Sequence, residues 1–231
     1  MPACLDPQQI MADPIEAHGI LYFLPAGHFL WRWSEKGAWE SKFVTIEDVA
    51  ASLANVENDS GWLGEGVIRA GHSARGDWFV YTAPAQKIML TLVSPEQSIA
   101  VTIPIPTTVL IGVGPAYYLY AAQETIVTPR SNLYHAPFPN VYGNGRICWG
   151  QNHRPAAHPS RAKAVWKLFF ETPFNSHLAS GKSLACAKNV TEQLRWLSNN
   201  HTRKYPLADL VRLNVTLDHQ VQQVMDRNWR E

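Results

Sequence analysis

The chain has 231 residues, enough for one domain with a full hydrophobic core or for a core domain plus a smaller lobe. With 46% hydrophobic and 17% charged residues it has a globular composition that excludes wholesale disorder, and a net charge of +1 gives no electrostatic reason to expect a nucleic-acid partner. The three cysteines, Cys4, Cys148 and Cys186, are odd in number and lack CxxC spacing, which argues against a disulfide framework and fits a reducing compartment.

In chain order, residues 1–16 are polar and punctuated by Pro7 and Pro14, so they read as a loosely ordered lead-in. They show no basic start followed by an apolar run, and no later segment approaches the roughly 20 apolar residues that span a bilayer. The expectation is a cytoplasmic protein with no membrane partner. Ile20–Leu24 and Phe29–Trp33 flank Pro25-Ala26-Gly27-His28, the pattern of two strands joined by a turn. Thr45 is a candidate N-cap for a short helix carrying Ile46, Val49, Ala50 and Leu53. Trp62–Arg69 and Trp78–Tyr81 suggest two more strands separated by a small-residue loop over 71–76.

After Pro84, the apolar runs Ile88–Leu92, Ile99–Ile103, Val109–Val113 and Tyr117–Ala121 are divided by Ser94-Pro95, by Pro104 with Pro106, and by Gly114-Pro115. They predict an antiparallel meander of four strands. A loop region follows over 128–159. Ser160 then caps a helix whose apolar face is Ala162, Val165, Trp166, Phe169 and Phe170, stopped by Pro173. A later helix starts at Asn189, with Glu192 placed as in a capping box, and the tail from Tyr205 has no clear period. Segregated strands and helices give an α+β fold, divided into a mixed N-terminal α/β lobe over 1–84 and a core over 85–231 with a C-terminal helical extension.

The segment richest in chemical signal is Pro139-Asn140-Val141-Tyr142-Gly143-Asn144-Gly145-Arg146-Ile147-Cys148-Trp149. Gly143 and Gly145 reach positive φ freely and Asn144 tolerates it, so this is a loop, shaped further by Pro139. A cysteine at its end can form a thioester, and an ordinary thiol is only a few per cent thiolate at neutral pH, which suits a carrier that must resist casual oxidation. Attack of an amine on a thioester builds an oxyanion, and a fixed side-chain amide stabilises it, typically by about 100- to 1000-fold in rate. Asn140 is the candidate donor and Cys148 the candidate nucleophile. The plainer alternatives are a small buried hydrophobe for Cys148 and a turn terminator for Asn140. His153 and His158, with Arg154, follow the cysteine; either imidazole could help deprotonate an incoming amine, or both could be solvated loop residues.

Pro139-Asn140, Asn144-Gly145 and Ile147-Cys148 resemble the active-site signature of ubiquitin-conjugating enzymes, in which His-Pro-Asn is followed eight residues after the Asn by the catalytic Cys. Leu133-Tyr134-His135-Ala136-Pro137-Phe138 and the aromatic N-terminal region are similar to the bacterial branch named PRTRC system protein B. The resemblance implies a core of four antiparallel strands, an active-site loop and flanking helices. It implies a carrier that accepts a ubiquitin-like modifier on Cys148, with a ThiF-like adenylating enzyme, the small ubiquitin-like protein and a deconjugating metalloprotease as partners, and with no cofactor of its own. Two departures stand out: Phe138 occupies the place of the signature's His, and Trp149 follows the cysteine where an aliphatic residue is common. They motivate an alternative, a catalytically silent binding scaffold of the same fold.

Other motifs are incomplete. Cys148, His153 and His158 echo part of a zinc knuckle, but Gly145 stands where a further cysteine belongs, so no metal is expected. Gly181-Lys182-Ser183 lacks the first glycine of a phosphate loop, and Gly112-Val113-Gly114 lacks the third of a dinucleotide fingerprint. A papain-type thiol hydrolase would open a helix with its cysteine, whereas Cys148 lies in a loop.

Overall fold

The computed structural model of the chain describes residues 19–226 apart from 36, 50–61 and 74. The chain divides into two units, Met1–Asp59 and Ser60–Glu231. The described part of the first unit is a three-stranded antiparallel sheet, β1 (Gly19–Phe23), β2 (Phe29–Glu35) and β3 (Ala38–Val44), in the order β1-β2-β3. The expected turn after β1 is there, with Pro25–Gly27 as a single 3₁₀ turn. The third strand is a finding, since its alternation of Trp39, Ser41 and Phe43 with charged residues is weak in sequence. Thr45 does cap a helical turn: its hydroxyl accepts from the Asp48 N–H and the Asp48 carboxylate accepts from the Thr45 N–H, both at 3.1 Å. The rest of that predicted helix, and Cys4, lie outside the described residues.

In the second unit β4 (Val67–Ser73) and β5 (Gly76–Ala83) form a hairpin. The predicted loop over 71–76 shrinks to its tight turn, because Gly71 stays in the strand opposite Trp78. A Cβ on Gly71 would sit 2.8 Å from the indole, so the glycine makes room for the ring to lie across the strand pair. Beyond β5 come β6 (Gln86–Val93), β7 (Ser98–Ile105), β8 (Thr107–Val113) and β9 (Ala116–Ala122).

The four-strand meander exists, but its strands are not the four predicted. β5 pairs with β8 and β6 with β7, and the register runs on unbroken from Ala83↔Thr108 to Gln86↔Ile105. Residues 76–93 and 98–113 are therefore two long strands of one hairpin, bent at Pro84 and Pro106. The four antiparallel members are β4, β5–β6, β7–β8 and β9. Pro84 and Pro106 read as strand ends in sequence; here the proline positions bend the ribbon without shifting it. The boundary expected after residue 84 falls inside this ribbon, whereas the two units divide at 59/60.

The main sheet has the order β11-β10-β9-β8-β5-β4, completed by β10 (Asn132–His135) and β11 (Arg212–Thr216). β10 lies within the region predicted as loop, and β11 comes from the tail that had no clear period. The α-helices described in this unit are α1 (Ala162–Glu171), α2 (Val190–Asn199) and α3 (Leu217–Asp226). Both faces of the sheet centre are buried. Leu110, Tyr117, Leu119 and Ala121 join the core under α1, while Val109, Ile111, Val113, Tyr118 and Tyr120 join the core under α3. Period-2 alternation thus gives strands that are apolar on both sides, and every residue of β8 and β9 is buried.

α1 buries the face expected of it, and its Trp166 Nε1 donates to Thr108 Oγ1 at 2.8 Å. Its start differs: Ser160 lies in a 3₁₀ turn capped by the His158 ring, and the α-helix begins at Ala162. α2 begins as expected, with the Asn189 side chain accepting from the Thr191 N–H. No described helix is long and apolar enough to cross a membrane.

Candidate active site

Phe138 anchors the loop from below. It is fully buried and meets Phe169 and Phe170 edge to face, with centroids 6.2 and 5.0 Å apart. Aromatic packing on α1 thus fills the position where the signature has His, and each such ring pair contributes about 0.5–1.5 kcal/mol beyond burial. At the other end Trp149 is buried, edge-on to Tyr117 and to Phe169. The departures from the signature at 138 and 149 are two sides of one aromatic floor.

Between these anchors the chain doubles back. Val141 bridges Ile147, and the Tyr142 N–H donates to the Arg146 carbonyl at 2.8 Å. The Ile147 N–H donates to Tyr117 O and the Leu119 N–H donates to Gly145 O, both at 2.8 Å, which lays the loop along β9. Gly145 is indispensable here: its φ is +87° and a Cβ would run into the Tyr120 ring. Gly143 has ordinary φ and open space around it, so the expected shaping role falls to Gly145 alone. Asn144 does not take a positive φ; its side chain accepts from the Arg146 N–H at 3.0 Å and its carbonyl accepts from the Tyr120 hydroxyl at 2.8 Å. That hydroxyl in turn accepts from Gln220 Nε2 of α3 at 2.9 Å. Pro139 is buried at the loop's entry.

The non-glycine residue of the loop in the left-handed region is Asn140, with φ +60°. Its carbonyl accepts from the Cys148 N–H at 2.7 Å, so the two candidate catalytic residues are joined through the backbone. The carboxamide, however, donates to Pro173 O at 3.0 Å, in the turn after α1, and Asn140 does not line the groove in which Cys148 lies. To meet an oxyanion it must leave that acceptor.

Cys148 is half-buried and faces a groove of about 470 Å³ walled by Tyr117, Tyr142, Arg146, Trp149 and Arg154 among others. The neighbouring Cys148 side chain raises the Tyr142 phenol above its ordinary range, first through hydrogen bonding and then through charge repulsion. The phenol therefore stays an O–H donor at neutral pH. Burial pushes the Tyr117 phenol up to about 12, against the pull of Arg154 and Arg161. Tyr142 had no place among the sequence candidates; its signal was its position two residues after Asn140 on a doubled-back loop.

Neither histidine reaches the groove. His158 hydrogen-bonds Ser160 Oγ at 2.7 Å and lies 3.8 Å from Asp77, and His153 is exposed outside the groove wall. Among the described residues no group of three or more His, Cys, Asp or Glu side chains is placed to hold a metal ion. Cys186 sits elsewhere, 3.9 Å from Gln193 Oε1, with its thiol pushed up by burial and then by Glu192 and Asp209.

Beneath the loop, Lys182 is buried and its Nζ donates to Val141 O at 2.6 Å. Burial lowers its ammonium to about 8. His135 is pushed down by its own burial and by Lys182.

The family model for prokaryotic E2 family D matches residues 44–213, which include the whole ribbon, the loop and α1 and α2. The chain belongs to that family. No curated protein and no solved structure matches it. An E2-like family was the expectation from residues 139–148, and the antiparallel sheets with few helices of this prokaryotic E2 family D chain agree with an E2-like fold.

Proposed function

We propose that this protein is a thioester carrier of the PRTRC system protein B type, in which Cys148 accepts the carboxy terminus of a ubiquitin-like modifier from a ThiF-like adenylating enzyme and passes it to an amine. The observation that carries this is a half-buried thiol in an open groove, with a phenolic O–H beside it and its own N–H held by Asn140. The thiolate attacks the carbonyl of the incoming thioester, the old C–S bond breaks and the leaving thiolate takes up a proton. In the second step the amine attacks the new thioester, loses its proton to water or a nearby base, and releases Cys148. Tyr142 donates to the sulfur, and Asn140 donates to the oxyanion after its carboxamide leaves Pro173 O. ATP is consumed by the activating enzyme, so the carrier itself takes no cofactor. A metalloprotease would reverse the modification, and the expected location is the cytoplasm.

The second reading, a silent scaffold, is favoured by one observation: the Asn140 carboxamide is engaged with Pro173 O, outside the groove. Incubation with the activating enzyme, the modifier and ATP separates the two. A carrier gives an adduct cleaved by added thiol, absent in Cys148→Ala and converted to a thiol-resistant ester in Cys148→Ser. A scaffold binds the modifier with no adduct at all, and an adduct that survives in Cys148→Ala would remove Cys148 from the chemistry.

A further inference from the structure

The groove beside Cys148 carries two guanidinium groups and no carboxylate on its wall. Arg146 and Arg154 are both half-buried, and among the described residues neither takes part in an ion pair. Arg154 directs Nε to the Pro115 carbonyl at 2.9 Å, and the Arg146 guanidinium has no hydrogen-bond partner among the described residues. The Asp77 carboxylate, next to the Gly114-Pro115 turn in the sheet, is engaged by His72 at 2.8 Å and by His158 at 3.8 Å. The chain as a whole carries a net charge of only +1, so this local excess is not a reflection of a basic protein.

Backbone geometry sets where that charge acts. Arg146 bridges Tyr118 and Ile147 bridges Val141, so residues 146–148 run extended, and the period of two puts Arg146 and Cys148 on one side. Their Cα atoms are then about 7 Å apart along the strand. An extended peptide with its carboxyl carbon at the thiol advances about 3.3 Å per residue, so a tail laid along the groove keeps its last three or four residues within reach of the Arg146 and Arg154 side chains that wall it.

We propose that the Cys148 groove selects a modifier tail bearing acidic side chains within the last few residues before the reacting carboxyl, with Arg146 and Arg154 as the specificity-determining residues. The assignment rests on the carrier reading of Cys148, but the preference itself can be measured without catalysis.

The test uses the full chain and three fluorescent peptides ending in two glycines, carrying two glutamates, two glutamines or two lysines upstream. As carboxy-terminal amides they report binding by anisotropy; as neutral benzyl thioesters they report acyl transfer to Cys148 with release of benzyl thiol. The glutamate peptide should bind about five- to tenfold tighter than the glutamine peptide at low salt, with the lysine peptide weakest, and salt should narrow the difference. Arg146→Gln should shrink the ratio, and Arg146→Glu with Arg154→Glu should invert the order, a reversal that loss of folding cannot produce. Equal binding of the three peptides, or a glutamate preference that survives both reversals in a folded protein, would overturn the proposal. So would tighter binding of a single-stranded oligonucleotide of matched charge. If the glutamate preference holds but none of the thioesters loads Cys148, the carrier reading falls and the groove's charge selectivity stands.

Discussion

At the scale of single residues, Tyr142 lines the groove beside Cys148, whose side chain raises its phenol above the ordinary range. A hydrogen bond to a charged group is worth about 1.5–3 kcal/mol, so Tyr142→Phe should slow single-turnover loading of Cys148 by about 10- to 100-fold. Its melting temperature should stay near that of the parent, because the ring is exposed and the hydroxyl holds no other part of the fold among the described residues. Unchanged loading would leave the hydroxyl without a catalytic part. Lys182 makes a different prediction. Burial penalises the charge and lowers its ammonium to about 8 in the folded chain. The unfolded chain keeps the proton up to the ordinary lysine range. Between those two values the unfolded state binds more protons, so stability rises with pH, and below about 8 the penalty is present in full. Lys182→Met should flatten that rise, which urea unfolding at pH 7.5 and 9.5 would measure as a smaller difference between the two midpoints. The same residue scale shows what the sequence revealed and what it withheld. That Cys148 and Asn140 lie together was legible because their spacing is fixed by backbone contact, the Cys148 N–H on the Asn140 carbonyl. The direction of the carboxamide was not legible, because its acceptor, Pro173 O, is set by where α1 ends.

At the scale of elements, the two loop glycines look alike in sequence and differ in the fold. Gly145→Ala forces both an unfavourable positive φ and a collision with Tyr120, and should destabilise by about 1–3 kcal/mol, read from chemical denaturation. Gly143→Ala meets nothing within 4 Å and should shift the midpoint little. A comparable loss from both would show that the loop has another conformation. The helices α1 and α2 were readable because each writes an apolar stripe at a period of 3.6 and has a clear stop or cap. The strands were harder. Pro84 and Pro106 look like terminators, yet the pairing on either side of the bend stays in one register, a fact that lives between strands and not within them. β10 was hidden for a related reason: four residues are too few to show alternation, and the strand is specified by its neighbours β9 and β11.

At the scale of the whole molecule, the buried hydrophobic residues among those described run from Phe79 to Val224, within the second unit. Its sheet is covered on both faces by its own helices, which gives it a self-sufficient core. Removal of residues 1–59 should therefore leave a cooperative unfolding transition within a few degrees of the parent's main one, followed by near-ultraviolet circular dichroism. Loss of that transition would make the first unit a structural part of the core. Among the described residues of the first unit, Phe23 and Phe43 are about three-quarters exposed.

The tie from Gln220 through the Tyr120 hydroxyl to the Asn144 carbonyl has a temporal meaning. During synthesis Cys148 is made long before Gln220, so a nascent chain displays its thiol before the helix that steadies the loop has been translated. The loop's full set of ties then arrives with α3 and not with Cys148 itself, and a ribosome stalled between the two would hold out a bare sulfur on a loop that still lacks its outermost strut.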